Sequence, residues 1–551
     1  MKTTAITILL FAITSFSYAQ ISPVNEAWVD STLRSMTLEE KIGQLFIPAQ
    51  TSPERTLEWI KDYHIGGIWF PRVEARKIAD DLNTFQRASK YPMLVTVDFE
   101  KGAGTYVDGA TDLPINMALG ASRDPKLVYD AAALTAKEAL ALGIHLNYAP
   151  VVDVNNNPSN PVINTRSYGE DPALVARLAE AAIRGYQENG LLSTVKHFPG
   201  HGNTGTDTHA RIGVVTGSAE EMDSVELRPY RDVFRTAKPS AVMSAHLWIQ
   251  SIDKDTIPAT LSANVMTGLL RNRLGFDGLV LTDAMAMGGI TTRYSFTAAT
   301  VKALQAGCDI ILFPGDLATG YQSVLEAVKK GELTEVRIDA SVRRILKAKS
   351  MAGLDKKRFT DVSRLASLVG TQENYATAKR IAAGCLTLAK DRANLIPLAG
   401  SKKVLVLTMS NKEGNSMLSR GLVTFPDEVR KYAPDAADIR LSDAMKTDET
   451  KQALLLARSS DVVIVAAYVK IVLSSGTVDL PAAHAAFLRE LVQSNPNVVL
   501  VSFGNPYIGG SVPEIPTYIC AYDNARALQE ATAESLFGNG HFKGTLPVTV
   551  S

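Results

Sequence analysis

Eight short apolar runs, separated by longer stretches with helical spacing, dominate the first 350 residues. The runs are almost continuously hydrophobic, which is typical of parallel strands that are buried on both faces. Eight strand–helix units of this kind predict an α/β fold, a (β/α)8 TIM-like barrel. The first two runs lie close together, which predicts an irregular start of the barrel. The eight runs span residues 44–49, 65–70, 93–99, 144–154, 191–198, 240–247, 279–285 and 309–314.

The pattern changes after residue 350, where a polar, helical stretch follows. Four more apolar runs come after it, at 402–410, 461–469, 497–505 and 517–524. They predict a smaller α/β sandwich domain with a doubly wound sheet. Its glycines lack the strand–GxGxxG–helix order of a dinucleotide site, and we expect no cofactor. The predicted domains are a signal peptide (1–19), the catalytic barrel (20–350), a linker (351–375) and the C-terminal domain (376–551).

The first residues, MKTTAITILLFAITSFSYAQ, have the three parts of a signal peptide. Lys2 supplies the positive start, residues 5–16 are apolar, and Ser17-Tyr18-Ala19 places small residues at the cleavage positions. A buried helix or a membrane anchor is the alternative, but the run is short for a bilayer span. We therefore expect a secreted or periplasmic protein that begins at Gln20 and is not inserted in a membrane after cleavage.

The charge balance gives no sign of a polyanionic partner. There are 57 basic and 57 acidic residues, so no overall field attracts nucleic acid or an anionic membrane. The three cysteines, Cys308, Cys385 and Cys520, are far apart, match no zinc spacing and are expected to be buried thiols. We expect a monomer or a weak oligomer. The last residues, GTLPVTVS, look like a strand, which leaves open a chain that continues past Ser551.

Charged and imidazole side chains stand where five of the predicted barrel strands end. They are Asp98, Asp153, the pair Lys196-His197, His246 and Asp283. A single aspartate after a strand is often a helix cap. Five such ends, however, converge on the carboxyl-terminal rim of a parallel barrel, where the active site lies. Asp283 in particular can be a carboxylate nucleophile on a rigid strand end.

The stretch KHFPGHGNTGTDTH, residues 196–209, combines imidazoles, a carboxylate and glycines. Asp207 and His209 are two residues apart, so the carboxylate can fix the tautomer of the ring. Such a histidine can donate a proton and later accept one. The glycines and Pro199 predict a mobile or unusually shaped loop. A metal site built from the three histidines of this stretch is the alternative, but these breaks argue against the helix that its spacing requires, and we expect no metal.

Four motifs make the chain similar to one enzyme family. The stretch 196–209 resembles the K-H-F-P-G-H-G-x-T…D-x-H signature of the β-N-acetylglucosaminidases of glycoside hydrolase family 3. TDAMAMGGI, which contains Asp283, resembles the nucleophile segment of the family. NTRSYGEDP, residues 164–172, resembles its R-S-[FY]-G-x-D-P segment. VTVDFEKG stands where the family has V-D-Q-E-G-G. The motifs occur in family order, the similarity covers residues 30–350, and the later region resembles the second domain of the family.

The resemblance implies a retaining hydrolase that removes terminal β-linked N-acetylglucosamine from cell-wall or chitin-type oligosaccharides. By position, Asp283 is the nucleophile, His209 the acid/base and Asp207 the residue that holds His209. The residues that bind the sugar hydroxyls by this resemblance are Asp98, Arg166, Lys196 and His197.

Two departures and three alternatives go with the resemblance. Glu100-Lys101-Gly102-Ala103-Gly104 stands where the family has Glu-Gly-Gly-Arg. The arginine of the family motif is missing, which puts one contact with the sugar or the aglycone in doubt. Asn164-Thr165 replaces the usual residues before Arg-Ser. A β-glucosidase or xylosidase of the same family lacks the DTH loop and takes its acid from the second domain. Phosphate could replace water as acceptor, because a neutral imidazole repels anions less than a carboxylate does. A non-catalytic protein on a decayed barrel should have lost Asp283, Asp207 and His209.

Overall fold

A computed structural model of the protein describes residues 20–398, 400, 403–411, 423–471 and 478–550. The predicted signal peptide, residues 1–19, lies outside the described residues. Eight barrel strands form, each inside one of the predicted apolar runs. They are Phe46–Ile47, Gly67–Trp69, Leu94–Val97, Leu146–Asn147, Leu192–Phe198, Ala241–Ser244, Leu279–Leu281 and Ile311–Leu312.

The eight strands close into a parallel ring. The second to the seventh pair in chain order in one parallel ladder. The first strand pairs with the eighth, and single parallel bridges, Ala49 to Trp69 and Leu281 to Ile310, join this pair to the two ends of the ladder. All seven residues of Leu192–Phe198 are buried, as expected for a strand covered by helices outside and side chains inside. The predicted TIM-like barrel is confirmed.

Helices cover the outside of the barrel between successive strands. Helix Pro53–Tyr63 fits between the first two strands, with proline in its first turn and Ser52 as its N-cap. The start of the barrel is nevertheless irregular, as predicted, because the first strand joins the second only through the Ala49–Trp69 bridge. Two short parallel strand pairs, Val73–Glu74 with Val107–Asp108 and Gly213–Val215 with Leu247–Ile249, extend the loops. The helices of this region are Glu26–Ser35, Leu38–Gln44, Pro53–Tyr63, Ala75–Ala88, Ala103–Thr105, Asn116–Ser122, Pro125–Leu142, Asn164–Arg166, Pro172–Gln187, Ala219–Ser224, Leu227–Thr236, Ala259–Leu261, Asn264–Arg273, Gly288–Thr291, Phe296–Ala306, Leu317–Lys329 and Glu335–Met351.

The C-terminal domain contains a six-stranded sheet between helices. All its strands are parallel except the first in the sequence, which pairs antiparallel at one edge. The doubly wound sheet is confirmed. Across the sheet the strands are Thr387–Asp391, Thr517–Cys520, Val498–Ser502, Val462–Tyr468, Val404–Ser410 and Ala437–Arg440. The helices after the barrel are Val362–Arg364, Leu365–Leu368, Gln372–Ala383, Phe425–Arg430, Thr447–Arg458, Ala482–Ser494, Ile508–Ser511 and Arg526–Leu536.

The final segment returns to the barrel instead of forming a strand. Residues 541–550 contain no strand, contrary to the prediction for this stretch. Thr545 donates its N–H to the carbonyl of Ala121, and Thr549 donates its N–H and its hydroxyl to the Glu170 carboxylate. Hydrogen bonds to the barrel thus replace the sheet pairing that the alternating pattern suggested.

Three further predictions concern single features. The three cysteines are buried free thiols, as expected. Among the described helices, none combines the length and the apolarity that crossing a membrane requires. The predicted domain boundaries stay a prediction, although helix Gln372–Ala383 begins inside the predicted linker.

Candidate active site

A cavity of about 260 Å³ opens at the carboxyl ends of the barrel strands. It is smaller than the roughly 300–1,000 Å³ of sites for drug-sized ligands, so it suits one small ring better than a chain. In the part of the chain that the structure describes, all of its lining residues belong to the barrel. They are Trp69, Asp98, Glu100, Thr105, Tyr106, Val162, Arg166, Lys196, His197, His201, Thr208, His209, Met243, Asp283, Ala284, Met287, Leu312 and Phe313.

Asp283 lies at the end of the seventh strand and faces this cavity. The N–H of Ala284 donates to its Oδ1 at 2.7 Å, and Nε2 of His246 donates to the Ala284 carbonyl at 3.0 Å, which fixes the peptide beside the carboxylate. Burial alone would raise the pKa of Asp283, but the nearby imidazoles, His246 first, lower it below its usual value. The side chain is therefore an ionised carboxylate, as a nucleophile must be.

His209, which also lines the cavity, forms a hydrogen-bonded pair with Asp207. Nδ1 of His209 donates to Oδ1 of Asp207 at 2.8 Å, and the His209 N–H donates to the same oxygen at 2.8 Å. A carboxylate only accepts, so the proton on Nδ1 leaves Nε2 as the atom that exchanges protons. Asp207 is buried and His209 is 32% exposed, so the ring reaches solvent and the carboxylate does not.

Two glycine N–H groups hold the DTH loop, residues 207–209, against the segment that carries Asp283. Gly288 donates to the His209 carbonyl and Gly289 to the Thr208 carbonyl, both at 3.0 Å. A Cβ on Gly288 would lie 2.2 Å from the carbonyl oxygen of Ala210, which is backbone and cannot rotate away. The glycines of MGGI therefore set the position of the imidazole relative to Asp283.

Gly288→Ala is expected to lower kcat/KM by about 100-fold, because moving a reacting group by about 1 Å has effects of this size. Gly205→Ala is the matched control. Gly205 lies in the stretch 196–209 that carries His209, and a Cβ on it would meet nothing within 4 Å. Steady-state kinetics on the two folded variants measures the effect. Equal kinetics in the two variants would contradict the positioning role of the close approach.

The glycine-rich loop is braced from inside. His201 contacts the hydroxyl of Thr208 with Nε2 at 2.9 Å and that of Thr204 with Nδ1 at 3.1 Å. Burial lowers the pKa of His201 to about 4, so the ring is neutral near pH 7. In the metal alternative His201 shares an ion with His197 and His209, but each ring has its own hydrogen-bond partners. The described residues include no cluster of three metal-ligating side chains.

Glu100 joins the basic residues of the cavity into one network. Its carboxylate accepts two hydrogen bonds from Arg166, at 2.7 and 2.9 Å, and pairs with Lys196 Nζ at 2.7 Å. Lys196 also donates to Oδ1 of Asp98 at 2.7 Å, and Trp69 Nε1 donates to Oδ2 of Asp98 at 3.0 Å. Charges so fixed present rigid polar groups to a polyhydroxylated ligand.

The network keeps Glu100 and Lys196 ionised. Burial alone would raise the pKa of Glu100, but Arg166 and Lys196 hold it well below its usual value. Burial works against the charge on Lys196, but Asp98 and Glu100 outweigh it and raise its pKa. Neither Glu100 nor Lys196 is therefore suited to exchange a proton near neutral pH, and the acid/base role of His209 stays a prediction.

His197 is oriented from behind by a fully buried aspartate. Nδ1 of His197 donates to Asp153 Oδ2 at 2.7 Å, while Nη2 of Arg166 lies 3.2 Å from Nε2. A guanidinium has no acceptor, so Nε2 is the acceptor in this contact and Nδ1 is the donor to Asp153. Asp153 Oδ1 also accepts the N–H groups of His197 and His201, so this carboxylate supports the site without lining it.

Aromatic rings form the apolar wall of the cavity. Trp69 packs edge-on against Phe313 at 4.9 Å and against Tyr106 at 5.5 Å between ring centroids. Phe313 has φ of 47°, a left-handed conformation that is unfavourable for a bulky residue and is found mostly at functional sites. The wall offers a stacking or methyl-binding face opposite the charged network.

The structure places the seven predicted site residues at one locus. Six of them line the cavity, and the seventh, Asp207, is hydrogen-bonded to the ring of His209 from behind. The chemical roles of all seven stay predictions. Of the other strand ends, Asp153 and His246 lie behind the cavity and act through His197 and Ala284. Sequence reasoning missed the central place of Glu100 and the aromatic wall. Apolar residues at the ends of the second and eighth strands were the available signal for Trp69 and Phe313.

Glu226 is a buried carboxyl behind the glycine-rich loop, against Gly200. Burial is the main reason that its pKa is raised from 4.5 to about 7. The folded protein then keeps a proton that the unfolded chain releases, so stability falls as pH rises from about 4.5 to 7. Glu226→Gln is expected to be more stable than wild type by about 1–3 kcal/mol at pH 8 and by little at pH 5. Urea unfolding at both pH values measures this, and a pH-independent difference would contradict it.

Two family models match the chain over almost its whole described length. The glycosyl hydrolase family 3 N-terminal domain matches residues 37–348, and the C-terminal domain of the same family matches residues 386–551. The chain belongs to glycoside hydrolase family 3. The resemblance read from the four motifs is thus confirmed, and the protein is a glycoside hydrolase.

Relatives in this family are similar over their full length. The β-N-acetylglucosaminidase/β-glucosidase of Cellulomonas fimi is 31% identical over 552 residues, with 95% of each chain covered. β-Hexosaminidase A of Pseudoalteromonas piscicida is 28% identical over 557 residues, which cover 91% of this chain and 92% of the relative.

Two solved structures superpose on almost the whole chain. A β-N-acetylglucosaminidase from Paenibacillus sp. str. FPU-7 superposes with a TM-score of 0.87 at 33% identity, covering 94% of this chain and 99% of the other. The β-glucoside phosphorylase BglX, bound to 2FGlc, superposes with a TM-score of 0.86 at 27% identity, covering 97% and 99%.

Proposed function

We propose that the protein is a retaining exo-β-N-acetylglucosaminidase that removes terminal β-linked N-acetylglucosamine from oligosaccharides. One observation carries the proposal: the hydrogen-bonded pair Asp207–His209 and the ionised Asp283 meet at a single cavity of the barrel. The names of these relatives, a β-N-acetylglucosaminidase/β-glucosidase, a β-hexosaminidase and a β-N-acetylglucosaminidase, support the same substrate, and the first of them also names the β-glucosidase alternative.

The geometry supports a double displacement. Asp283 attacks the anomeric carbon while His209 gives its Nε2 proton to the glycosidic oxygen, and the C–O bond to the leaving sugar breaks. A glycosyl ester of Asp283 results. His209, now neutral, takes a proton from water as the water attacks the same carbon, and Asp283 leaves. Two inversions give net retention. The hydrogen bond to Asp207 holds the ring and its tautomer through both steps.

The charged network suits the first subsite. Asp98, Lys196 and Arg166 present both acceptors and donors, which is what the hydroxyls of a sugar ring require. The size of the cavity fits one ring, as an enzyme that acts on chain ends needs. Lys101, where the sequence differs from the family motif, has little effect on the first subsite, because its side chain does not line the cavity and pairs with Asp523.

Phosphate as the acceptor is the second candidate. The similarity to a β-glucoside phosphorylase favours it, and an imidazole acid/base leaves less negative charge near an incoming anion than a carboxylate would. No cofactor enters either reaction. The signal-like N-terminus supports a site of action outside the cytoplasm, on cell-wall or chitin-type oligosaccharides.

A substrate panel followed by NMR tests the proposal. Nitrophenyl N-acetyl-β-glucosaminide, nitrophenyl β-glucoside, a muropeptide and a chitin oligosaccharide are each incubated with and without phosphate. We expect β-N-acetylglucosamine as the first-formed product, with the N-acetylglucosaminide preferred over the glucoside. A preference for the glucoside, or an α-configured first product, would contradict the proposal. A sugar phosphate as the main product would replace hydrolysis with phosphorolysis.

A further inference from the structure

The C-terminal domain contributes no lining residue to the cavity in the described part of the chain, yet it touches the segments that carry the lining. Two residues that follow strands of its sheet contact the barrel: Asn505 after Val498–Ser502, and Asp523 after Thr517–Cys520. The carboxyl edge of this sheet therefore lies on the carboxyl-terminal rim of the barrel.

Asp523 makes the strongest of these contacts. Its Oδ2 accepts from Lys101 Nζ at 3.0 Å and its Oδ1 accepts from Lys470 Nζ at 2.9 Å. Lys470 also contacts Asn524, and Lys101 lies 3.4 Å from Asp112. Asp523 is 2% exposed, Lys101 5% and Lys470 8%. A buried, balanced charge cluster of this kind loses much when one partner is removed, because the remaining charges stay buried without compensation.

Lys101 is the residue next to Glu100, whose carboxylate holds both Arg166 and Lys196. On the other side of this network, Asn164, two residues before Arg166, donates to Asn505 at 3.4 Å. The C-terminal domain thus contacts the chain immediately beside both members of the Glu100–Arg166 ion pair. Neither contact reaches the cavity itself.

We propose that Asp523 is a positioning residue of the active site. By pairing with Lys101 it fixes the backbone after the third strand, so that Glu100 keeps Arg166 and Lys196 directed into the cavity. This gives the second domain a function in sugar binding that needs no catalytic side chain of its own. The inference rests on the proposed assignment of Arg166 and Lys196 to the sugar subsite.

Asp523→Asn is the variant that tests the proposal. It keeps the shape of the side chain and removes the charge that Lys101 and Lys470 share. We expect kcat/KM to fall about 10- to 100-fold, as for other small displacements of binding groups. KM and the inhibition constant of N-acetylglucosamine should both rise, while the fraction of active sites found by burst titration stays that of wild type. Asp523→Glu should restore part of the affinity.

Thr549→Val is the matched control, because it also removes a hydrogen bond between the domains, at an exposed site away from Glu100. A structural effect alone would lower the melting temperature or the active fraction and leave KM and the inhibition constant unchanged. That result in Asp523→Asn would overturn the proposal. If Asp523→Asn does not fold, the same result in Asp523→Glu would overturn it. All variants are compared with wild type on the glycoside that wild type cleaves best, and the sugar released from that glycoside replaces N-acetylglucosamine as the inhibitor if the two differ, so an error in the proposed substrate does not affect the comparison.

Discussion

Asp283→Ala is expected to reduce kcat by about 10⁴- to 10⁶-fold, the range seen when a covalent nucleophile is removed. Among the described residues, the other carboxylates that line the cavity are Asp98 and Glu100, and they cannot take its place because they are bound to Lys196 and Arg166. The variant should still fold, since within the described residues the Asp283 side chain accepts a single hydrogen bond, from the adjacent Ala284 N–H.

Sodium azide distinguishes this loss from misfolding. In Asp283→Ala the space left by the carboxylate admits azide to the face that Asp283 attacked, so a β-glycoside should yield the α-glycosyl azide. The rate and the anomer are read by NMR, and binding of N-acetylglucosamine verifies that the subsite is intact. A folded variant that keeps more than a few per cent of wild-type kcat would remove Asp283 from the mechanism, since losses of this kind are about 10⁴-fold or larger.

His209→Ala should show a loss that depends on the leaving group. Proton donation contributes about 10²- to 10⁴-fold to glycoside cleavage, so oligosaccharides and poor leaving groups should be affected by that amount. A dinitrophenyl glycoside leaves without protonation and should form the glycosyl-enzyme at nearly the wild-type rate. Burst kinetics with the two substrate types measures the difference.

Azide identifies this role as well. In His209→Ala it should attack the glycosyl-enzyme from the side where water normally enters, and the product should be the β-glycosyl azide, opposite to that of Asp283→Ala. Thr208→Val, which keeps His209 but removes the hydroxyl that contacts His201, is the control for disturbance of the loop. An equal loss for both leaving groups in His209→Ala would show that the imidazole is not the proton donor.

The barrel could be predicted because its strands are buried on both faces. Such strands are continuous apolar runs, and all eight were recognisable. The two strands missed in the second domain, Thr387–Asp391 and Ala437–Arg440, are sheet edges with mostly half-buried or exposed residues. An edge strand has only one paired side and does not need a hydrophobic run, so its sequence resembles a loop.

The site was predictable to the extent that its residues stand at strand ends. Asp98, Lys196, His197 and Asp283 come together because parallel strands share one carboxyl rim. Arg166 lies in a short 3-10 helix far from any strand end, and only the family motif indicated it. The network centred on Glu100, and its support by Asp523 more than 400 residues later, depend on long-range contacts that a local pattern does not contain.

Trapping of the covalent intermediate tests the central claim most directly. The protein is incubated with a 5-fluoro N-acetyl-β-glucosaminyl fluoride, which slows the second step, then digested and mapped by mass spectrometry. The geometry of the cavity predicts one sugar on the wild-type peptide that contains Asp283. It predicts no label on the corresponding peptide of Asp283→Ala. Stoichiometric label on any other carboxylate, or steady turnover without a trapped species, would contradict a nucleophile at the end of the seventh strand.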